Sequence, residues 1–361
     1  MKLTTNIKLN PISEQIVFLQ DTTKFYIETV NNLLAGFNNG NTMRITSKDV
    51  KVNLPSCLKN SCINDAKSVY HKYLKDLKKD SEKKLPVLKK EVSIWNNQNY
   101  KINFEGKYIT FPVFFDGKTT RIKVDAYLIN KEILKTNKLG TMRILTKNNK
   151  WYAQISYEMK ELYNEDAINI MGVDLGLKVP AVCVTGSGTT KFFGNGRKNK
   201  YLRRIAYVKK QQLGKAKKLK AIKNIKDKEK RVMTDIDHKI SRNIINLAIK
   251  DKVEIIRLEK LTNIRKTTRT SRKNEKHLHT WSFYRLSKFI EYKANLLGIK
   301  VEYVDPSNTS KMCPFCGTLN KTTTRTYKCN CGYRGHRDRV GALNILNTYN
   351  VPLLCGNSIT A

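Results

Sequence analysis

The sequence predicts an α/β chain of several domains. A small antiparallel β-barrel carrying an inserted helical module comes first. A mixed sheet flanked by helices, with a cysteine ribbon inserted before its last helix, comes second. Three observations carry this. The first is length: 361 residues exceed one ordinary domain. The second is a change of pattern along the chain, from helical spacing to hairpins and then to strands alternating with helices. The third is the stretch from Asp305 to Leu346, where four cysteines on two knuckles precede a helix that opens with an acid.

The elements follow in order. Thr4–Leu9 alternates as a short strand. From Ile12 to Phe37, Ile16, Leu19, Val30, Leu33 and Leu34 recur at helical spacing, and the turn chemistry of Asn38-Asn39-Gly40-Asn41 ends the pattern. A second helix is expected over about Ile63–Leu77, before the charge run KDLKKDSEKK. From Val87 to Met159 three hairpin turns are readable, at Glu105-Gly106, Asp116-Gly117 and Asn148-Asn149. The strands around them suggest a barrel that the first strand joins. Most aromatics of this half, among them Tyr26, Tyr70, Tyr73, Trp95 and Tyr100, read as core; stacking on bases is the other reading.

Past Ile168 the chain reads strand AINIMGVD ending in Asp174, then strands AVCVT and KFF, then a very basic helical region over about Asn199–Lys250 with a stripe at Ile236, Ile240, Ile244 and Leu247. Strand VEIIRLE ends in Glu259. A linker rich in Thr, Arg and Lys leads to a helix with the stripe Leu286, Phe289, Ile290 and Leu297, then strand IKVEYVD, the ribbon, and a helix near Asp338 striped by Val340, Leu343, Ile345 and Leu346. Three strands, helix, strand, helix, strand, helix is the order of the RNase H-like fold. In that fold one acid ends the first strand, a second ends the fourth, and a third lies on the last helix. Asp174, Glu259 and Asp338 occupy those places. Three converging carboxylates repel unless cations hold them, and hard oxygen donors select Mg²⁺ or Mn²⁺. Two such ions about 4 Å apart can activate water and stabilise the leaving oxygen of a phosphodiester.

Cys313-x-x-Cys316 and Cys329-x-Cys331, each followed by glycine, supply four thiolates for a structural Zn²⁺. The second pair is one residue shorter than the usual knuckle. Cys57, Cys62, Cys183 and Cys355 read as ordinary thiols, and His277 and His279 as surface residues. His336 reads as positioning the chain before Asp338.

Charge narrows the function. Lys+Arg number 69 against 30 Asp+Glu, a net charge of +39, which calls for a polyanion such as nucleic acid. No apolar run approaches a membrane span, and the N-terminus has no signal-peptide core. Lys209, Lys210, Lys215, Lys217, Lys218, Lys220 and Lys223 are expected on consecutive turns of one helix, poorly ordered until phosphates neutralise it.

The blocks GVDLGLKVPAVCVT, DIDHKISRNII, IIRLEKLTNIR, WSFYRLSKFIEYKANLLGIKVEYVDPSNTSKMCPFCG and GHRDRVGALNI resemble, in order, those of TnpB proteins, the OrfB-type transposases of insertion sequences related to type V CRISPR effectors. They cover most of residues 170–346; the N-terminal half matches in layout only. The resemblance implies an RNA-guided DNA endonuclease of a transposable element. It would bind a guide RNA from its own locus, recognise a short motif beside double-stranded target DNA, and cut in a RuvC-like domain. Carried over, the catalytic, Mg²⁺-binding acids are Asp174, Glu259 and Asp338, and the Zn²⁺ ligands are Cys313, Cys316, Cys329 and Cys331. The Cys-x-Cys pair departs from the family pattern. The implied domains are a wedge-like barrel at 1–10 and 86–165, a helical recognition module at 11–85, a RuvC-like domain at 166–306 and 336–361, and the zinc ribbon at 307–335. The implied location is the cytoplasm of a bacterial host, on the nucleoid. The alternatives are an RNA-independent transposase or resolvase, an RNA-guided repressor that does not cut, and an RNA-associated structural zinc-ribbon protein. The last leaves the three acids unexplained.

Overall fold

The computed structural model describes residues 2–129, 131–160, 168–225, 227–261, 282–305, 308–321 and 324–348. His277, His279, Cys355 and the basic linker before residue 282 lie outside them. The chain divides into two compact units, Met1–Lys160 and Glu161–Ala361.

The first unit is built on β1 (Lys2–Asn10), β2 (Val92–Trp95), β3 (Lys101–Asn103), β4 (Tyr108–Phe115), β5 (Lys118–Tyr127), β6 (Lys138–Lys147) and β7 (Lys150–Glu158), with α1 (Ser13–Asn38), α2 (Ser56–Leu77) and the short α3 (Lys131–Thr136). The strands form one antiparallel sheet in the order β2-β6-β7-β1-β5-β4-β3. The first strand therefore lies in the middle of the sheet, between β7 and β5. All three hairpin turns fall where the sequence puts them. Asp116 and Gly117 have φ 48° and 72°, and Asn148 and Asn149 have φ 52° and 61°. Positive φ at both central residues is the two-residue turn whose twist matches that of the strands it joins. The helices α1 and α2 enter between β1 and β2. Leu19, Tyr26, Val30 and Leu34 of α1 share a core with Leu58, Cys62 and Ala66 of α2 and with Trp95 and Phe111 of the sheet. Tyr26, Trp95 and Tyr100 are buried, and Tyr70 and Tyr73 half-buried. The second helix starts at Ser56 rather than near Ile63, because Leu58 and Cys62 extend its apolar face a turn and a half upstream.

The second unit holds β8 (Ile170–Asp174), β9 (Ala181–Thr185), β10 (Thr190–Phe193), β11 (Ile255–Glu259) and β12 (Lys300–Val304) in one sheet, ordered β10-β9-β8-β11-β12. The β8–β11 and β11–β12 pairs are parallel; β9 and β10 are antiparallel to their neighbours. The helices are α4 (Gly196–Lys215), α5 (Leu219–Ile225), α6 (Lys228–Lys250), α7 (Phe283–Asn295) and α8 (Arg337–Asn347), and a ribbon with strands β13 (Thr326–Lys328) and β14 (Arg334–His336) precedes α8. This is the element order read from the sequence.

Side-chain alternation sorts the sheet's two faces. Met171 and Val173 of β8 and Ile256 and Leu258 of β11 pack with Ile240, Ile244, Leu286 and Ile290 of α6 and α7. Ile170 of β8 and Ile255 of β11 pack with Ala342 and Leu346 of α8. By the same parity Asp174 and Glu259 belong to the α8 face.

In this unit two expectations need correction. The basic region is not one helix. After α4 the backbone turns at Lys217 (φ 52°), with the Lys217 N–H on the Gly214 carbonyl (3.0 Å) and the Lys218 N–H on the Leu213 carbonyl (2.9 Å). This pair of bonds caps the end of a helix and redirects the chain. Lys209, Lys210 and Lys215 thus ride on α4, Lys217 and Lys218 in the turn, and Lys220 and Lys223 on α5. Leu297 lies beyond the end of α7 and is 50% exposed; Lys293 and Ala294 are buried on that helix instead.

Candidate active site and zinc ribbon

The acid cluster is assembled by three close approaches. The register pairs Val173 with Leu258, so Asp174 and Glu259 come next, side by side, at the carboxyl ends of adjacent parallel strands. Gly172 lets α8 lie directly on β8: a Cβ there would come 2.1 Å from the Ala342 carbonyl oxygen and 2.6 Å from the Leu346 nitrogen. One turn from the start of α8, Gly341 leaves room for Asp174, whose Oδ2 would lie 3.1 Å from an added Cβ. Asp338 stands in the first turn of α8, where a carboxylate suits the helix dipole. His336 caps that helix, its Nδ1 accepting from the Asp338 N–H at 3.2 Å, which is the positioning role expected of it. At the far end, Arg257 of β11 donates from Nη1 to the Leu346 carbonyl (2.6 Å) and from Nε to Glu302 (3.1 Å).

Asp174 shows the electrostatic consequence. Burial, then the charges of Glu259 and Asp338, hold its carboxyl well above the usual carboxylate range, while Arg325 and Arg337 oppose the shift. Burial likewise raises Glu259, opposed by a hydrogen bond from Thr309. A half-buried set of hard oxygen donors, in which Asp174 feels the charges of the other two, suits a divalent cation such as Mg²⁺. Two of the carboxylates also have other partners. Arg325, two residues before the ribbon's Tyr327, ion-pairs with both oxygens of Asp338, Nη1 to Oδ2 at 2.6 Å. Thr309 Oγ1 donates to Glu259 Oε1 at 2.6 Å. Sequence reasoning missed Thr309, Arg325 and Arg257. No spacing marks them; they act through contacts 50, 13 and 89 residues away in sequence.

The ribbon brings its four cysteines together. Among the described residues, Cys313, Cys316, Cys329 and Cys331 are the one group of three or more such ligands whose donor atoms all lie within 4.8 Å of one another. Sγ atoms of Cys313 and Cys331 are 3.7 Å apart, and those of Cys316 and Cys329 3.5 Å. A tetrahedral Zn²⁺ with Zn–S of about 2.3 Å demands sulfur separations of about 3.8 Å, so the set fits that ion despite the short second knuckle. Gly317 (φ 74°) and Gly332 (φ 91°) make the knuckle turns. Hydrogen bonds from Thr318 push the Cys316 thiol down to about 6, into the range where it binds metal as thiolate.

The seven lysines lie on the surface of the second unit, Lys210 half-buried and the others exposed. Among the described residues no helix is long and apolar enough to cross a membrane.

Residues 154–265 match the OrfB_IS605 family model, described as a probable transposase, and residues 283–345 match the Cas12f1-like TNB domain. The chain is 32% identical over 218 residues to the CRISPR-associated endodeoxyribonuclease Cas12f1 of Sulfoacidibacillus thermotolerans, across 55% of this chain and 50% of that protein. It is 42% identical over 142 residues to a TnpB-like protein of Methanocaldococcus jannaschii, across 38% of this chain and 51% of that one. The chain thus spans about half the length of these curated relatives. Its fold is similar to that of the protein chain in a cryo-EM structure of a Cas12f1–sgRNA–target DNA complex, with TM-score 0.67, 17% identity, and coverage of 93% of this chain and 82% of that one. The two family models in succession and the two relatives bear out the resemblance carried by the sequence blocks: residues 154–265 are similar to the OrfB_IS605 transposases and residues 283–345 to the Cas12f1-like TNB domain.

Proposed function

We propose that this chain is an RNA-guided DNA endonuclease of a transposable element, with Asp174, Glu259 and Asp338 as the acids that bind Mg²⁺ or Mn²⁺ and Cys313, Cys316, Cys329 and Cys331 as Zn²⁺ ligands. The carrying observation is the convergence of acids from β8, β11 and α8 on one face of one sheet. Bound divalent ions would supply the Lewis acidity for phosphodiester hydrolysis, by two ions in the reading from the sequence. The chain's own residues do the rest. Gly172 and Gly341 seat α8 close enough for Asp338 to act with the strand acids. Arg325 offsets negative charge beside Asp338, where a phosphodiester would have to approach. The half at residues 1–165 reads as a wedge-like barrel carrying the recognition module of residues 11–85.

Guide pairing would supply sequence specificity, leaving the basic surface to follow phosphate backbones of a guide RNA from the chain's own locus and of double-stranded target DNA. A short motif beside the target still has to be read by protein. In the first unit a cleft of about 540 Å³ is lined by Asn60, Asn64, Asn96, Gln98 and Asn99, with Asp65. In a chain of charge +39 these neutral amides suit base edges better than phosphates.

The test is to recover RNA that copurifies from the native host, then direct cleavage with a changed guide. RNA from the chain's own locus and cutting that follows the guide are expected. Cutting without RNA would instead establish the transposase or resolvase reading, and guided binding without cutting the repressor reading. Asp174→Ala, Glu259→Ala and Asp338→Ala should each slow cleavage a hundredfold or more, about 3 kcal/mol of barrier, with RNA and target binding kept. A variant that cuts at the wild-type rate removes that acid from the site.

A further inference from the structure

The turn that leads into the ribbon reaches back to the acid cluster. Thr309, 7% exposed, gives its hydroxyl proton to Glu259 Oε1 across 2.6 Å. The carbonyl of Asn308 closes the turn, accepting from the N–H groups of Lys311 (2.9 Å) and Met312 (3.0 Å). From beneath, Asn344 of α8, 3% exposed, donates its amide to the carbonyls of Thr309 (2.6 Å) and Met312 (2.8 Å). The next residue, Cys313, is buried and belongs to the four-sulfur cluster. A short chain of contacts thus joins one sulfur of the ribbon to one oxygen of Glu259. The helix that clamps it also carries Asp338.

We propose that Thr309 is a positioning residue for Glu259, and that through it the metal occupancy of the ribbon is coupled to the affinity of the acid cluster for its divalent ion. The inference rests on the acid-cluster reading above. A glutamate has several side-chain torsions to fix before it can serve as a ligand. Holding Oε1 from a rigid turn fixes them beforehand and leaves Oε2 as a donor. Loss of such a supporting hydrogen bond typically weakens a metal site about 10–100-fold. The turn runs directly into the ribbon, and a ribbon of this size depends on its metal for order. Coupling of this kind is reciprocal: whatever the ribbon's metal gives the acid cluster, the cluster's ion gives back.

The experiment titrates Mn²⁺ into the full-length protein without nucleic acid, following loss of the free-ion EPR signal. Thr309→Val keeps the shape and removes the donor, and should bind Mn²⁺ about 10–100-fold more weakly with zinc content and melting temperature preserved. Thr309→Ser keeps the hydroxyl and should stay within about threefold of wild type. A Thr309 that merely satisfied its own hydroxyl would move the melting temperature and leave Mn²⁺ affinity alone. Cys316→Ser should reproduce the loss, and the double variant Cys316→Ser/Thr309→Val should lose no more than either single one; additive losses would overturn the coupling. Should Thr309→Val fail to fold, Thr309→Ala is read in the same way. Asp174→Ala separates the two claims. If it loses Mn²⁺ while Thr309→Val binds as wild type, the positioning role is wrong and the acid cluster stands. If both bind as wild type, the acid cluster itself is wrong.

Discussion

Lys293 sits 4% exposed on α7, and both hydrogen bonds of its ammonium go to neutral oxygens of α6, the His238 carbonyl at 2.8 Å and Ser241 Oγ at 2.6 Å. Burial, then the neighbouring charge of Arg242, pull its pKa down to about 8. Between that value and the ordinary lysine value near 10.4, the unfolded chain holds a proton that the folded chain has released. Stability from this residue therefore rises as pH climbs from about 8 to about 10, and its penalty is fully present below 8. Lys293→Met is expected to flatten that rise, which melting temperatures of wild type and variant across pH 7–10 would reveal. Parallel curves would show that another group titrates there. The same energetic logic governs the acids. Removing Asp174 takes a charge out of a repelling cluster, so its alanine variant should not melt below wild type. Asp338→Ala differs, because it also leaves Arg325 without its ion pair.

At the scale of elements, what matters is how closely α8 lies on β8. Gly172→Ala would drive a methyl into the backbone of α8, at the Ala342 oxygen and the Leu346 nitrogen, where no side chain can rotate away. The helix must move, at a typical overpacking cost of about 1–3 kcal/mol. Asp338 moves with it, so cleavage should fall further than the loss of stability explains. Denaturant unfolding and single-turnover cleavage of this one variant check both halves; wild-type cleavage alongside the full stability loss would mean that the position of α8 does not set the chemistry. The ribbon is an element of the opposite kind, with a core of little more than Cys313, Tyr327 and Val340. Elemental analysis should find about one Zn²⁺ per chain. Cys316→Ser should lose it and loosen the ribbon before the sheet unfolds, since so small a loop owes its order to the metal. Four freely titratable thiols in the folded, zinc-free protein would refute the site.

The whole molecule carries a charge of +39, and its basic helices are where that charge is densest outside the site. Because α4 and α5 are separate, their lysines present two groups and a turn rather than one continuous column. A backbone-following surface needs no single axis, so the expectation for binding survives the change of shape. Replacing Lys209, Lys217 and Lys220 by Gln samples both helices and the turn. Binding of guide or guide–target duplex should weaken about equally for unrelated guides, and the slope of log affinity against log salt should fall by about two to three units if all three touch phosphate. An unchanged slope would make the run a solvated face. A loss confined to one guide would mean that these residues read sequence.

The order of elements, the three hairpin turns, the acids Asp174, Glu259 and Asp338 and the four ribbon cysteines were all legible in the sequence. Each is announced by local chemistry: apolar periodicity, turn residues that tolerate positive φ, a carboxylate at an element's end, thiols at knuckle spacing. The family blocks added the expectation that such a site is directed to DNA by a guide RNA. Tertiary structure alone decided the rest. It ended α4 at Lys215, just before Lys217 takes a positive φ that its residue type does not signal. It set Arg325 against Asp338, Thr309 against Glu259 and Arg257 beneath the end of α8. These contacts join residues far apart in the chain, and such pairings depend on how packed faces meet, about which no window of sequence carries information.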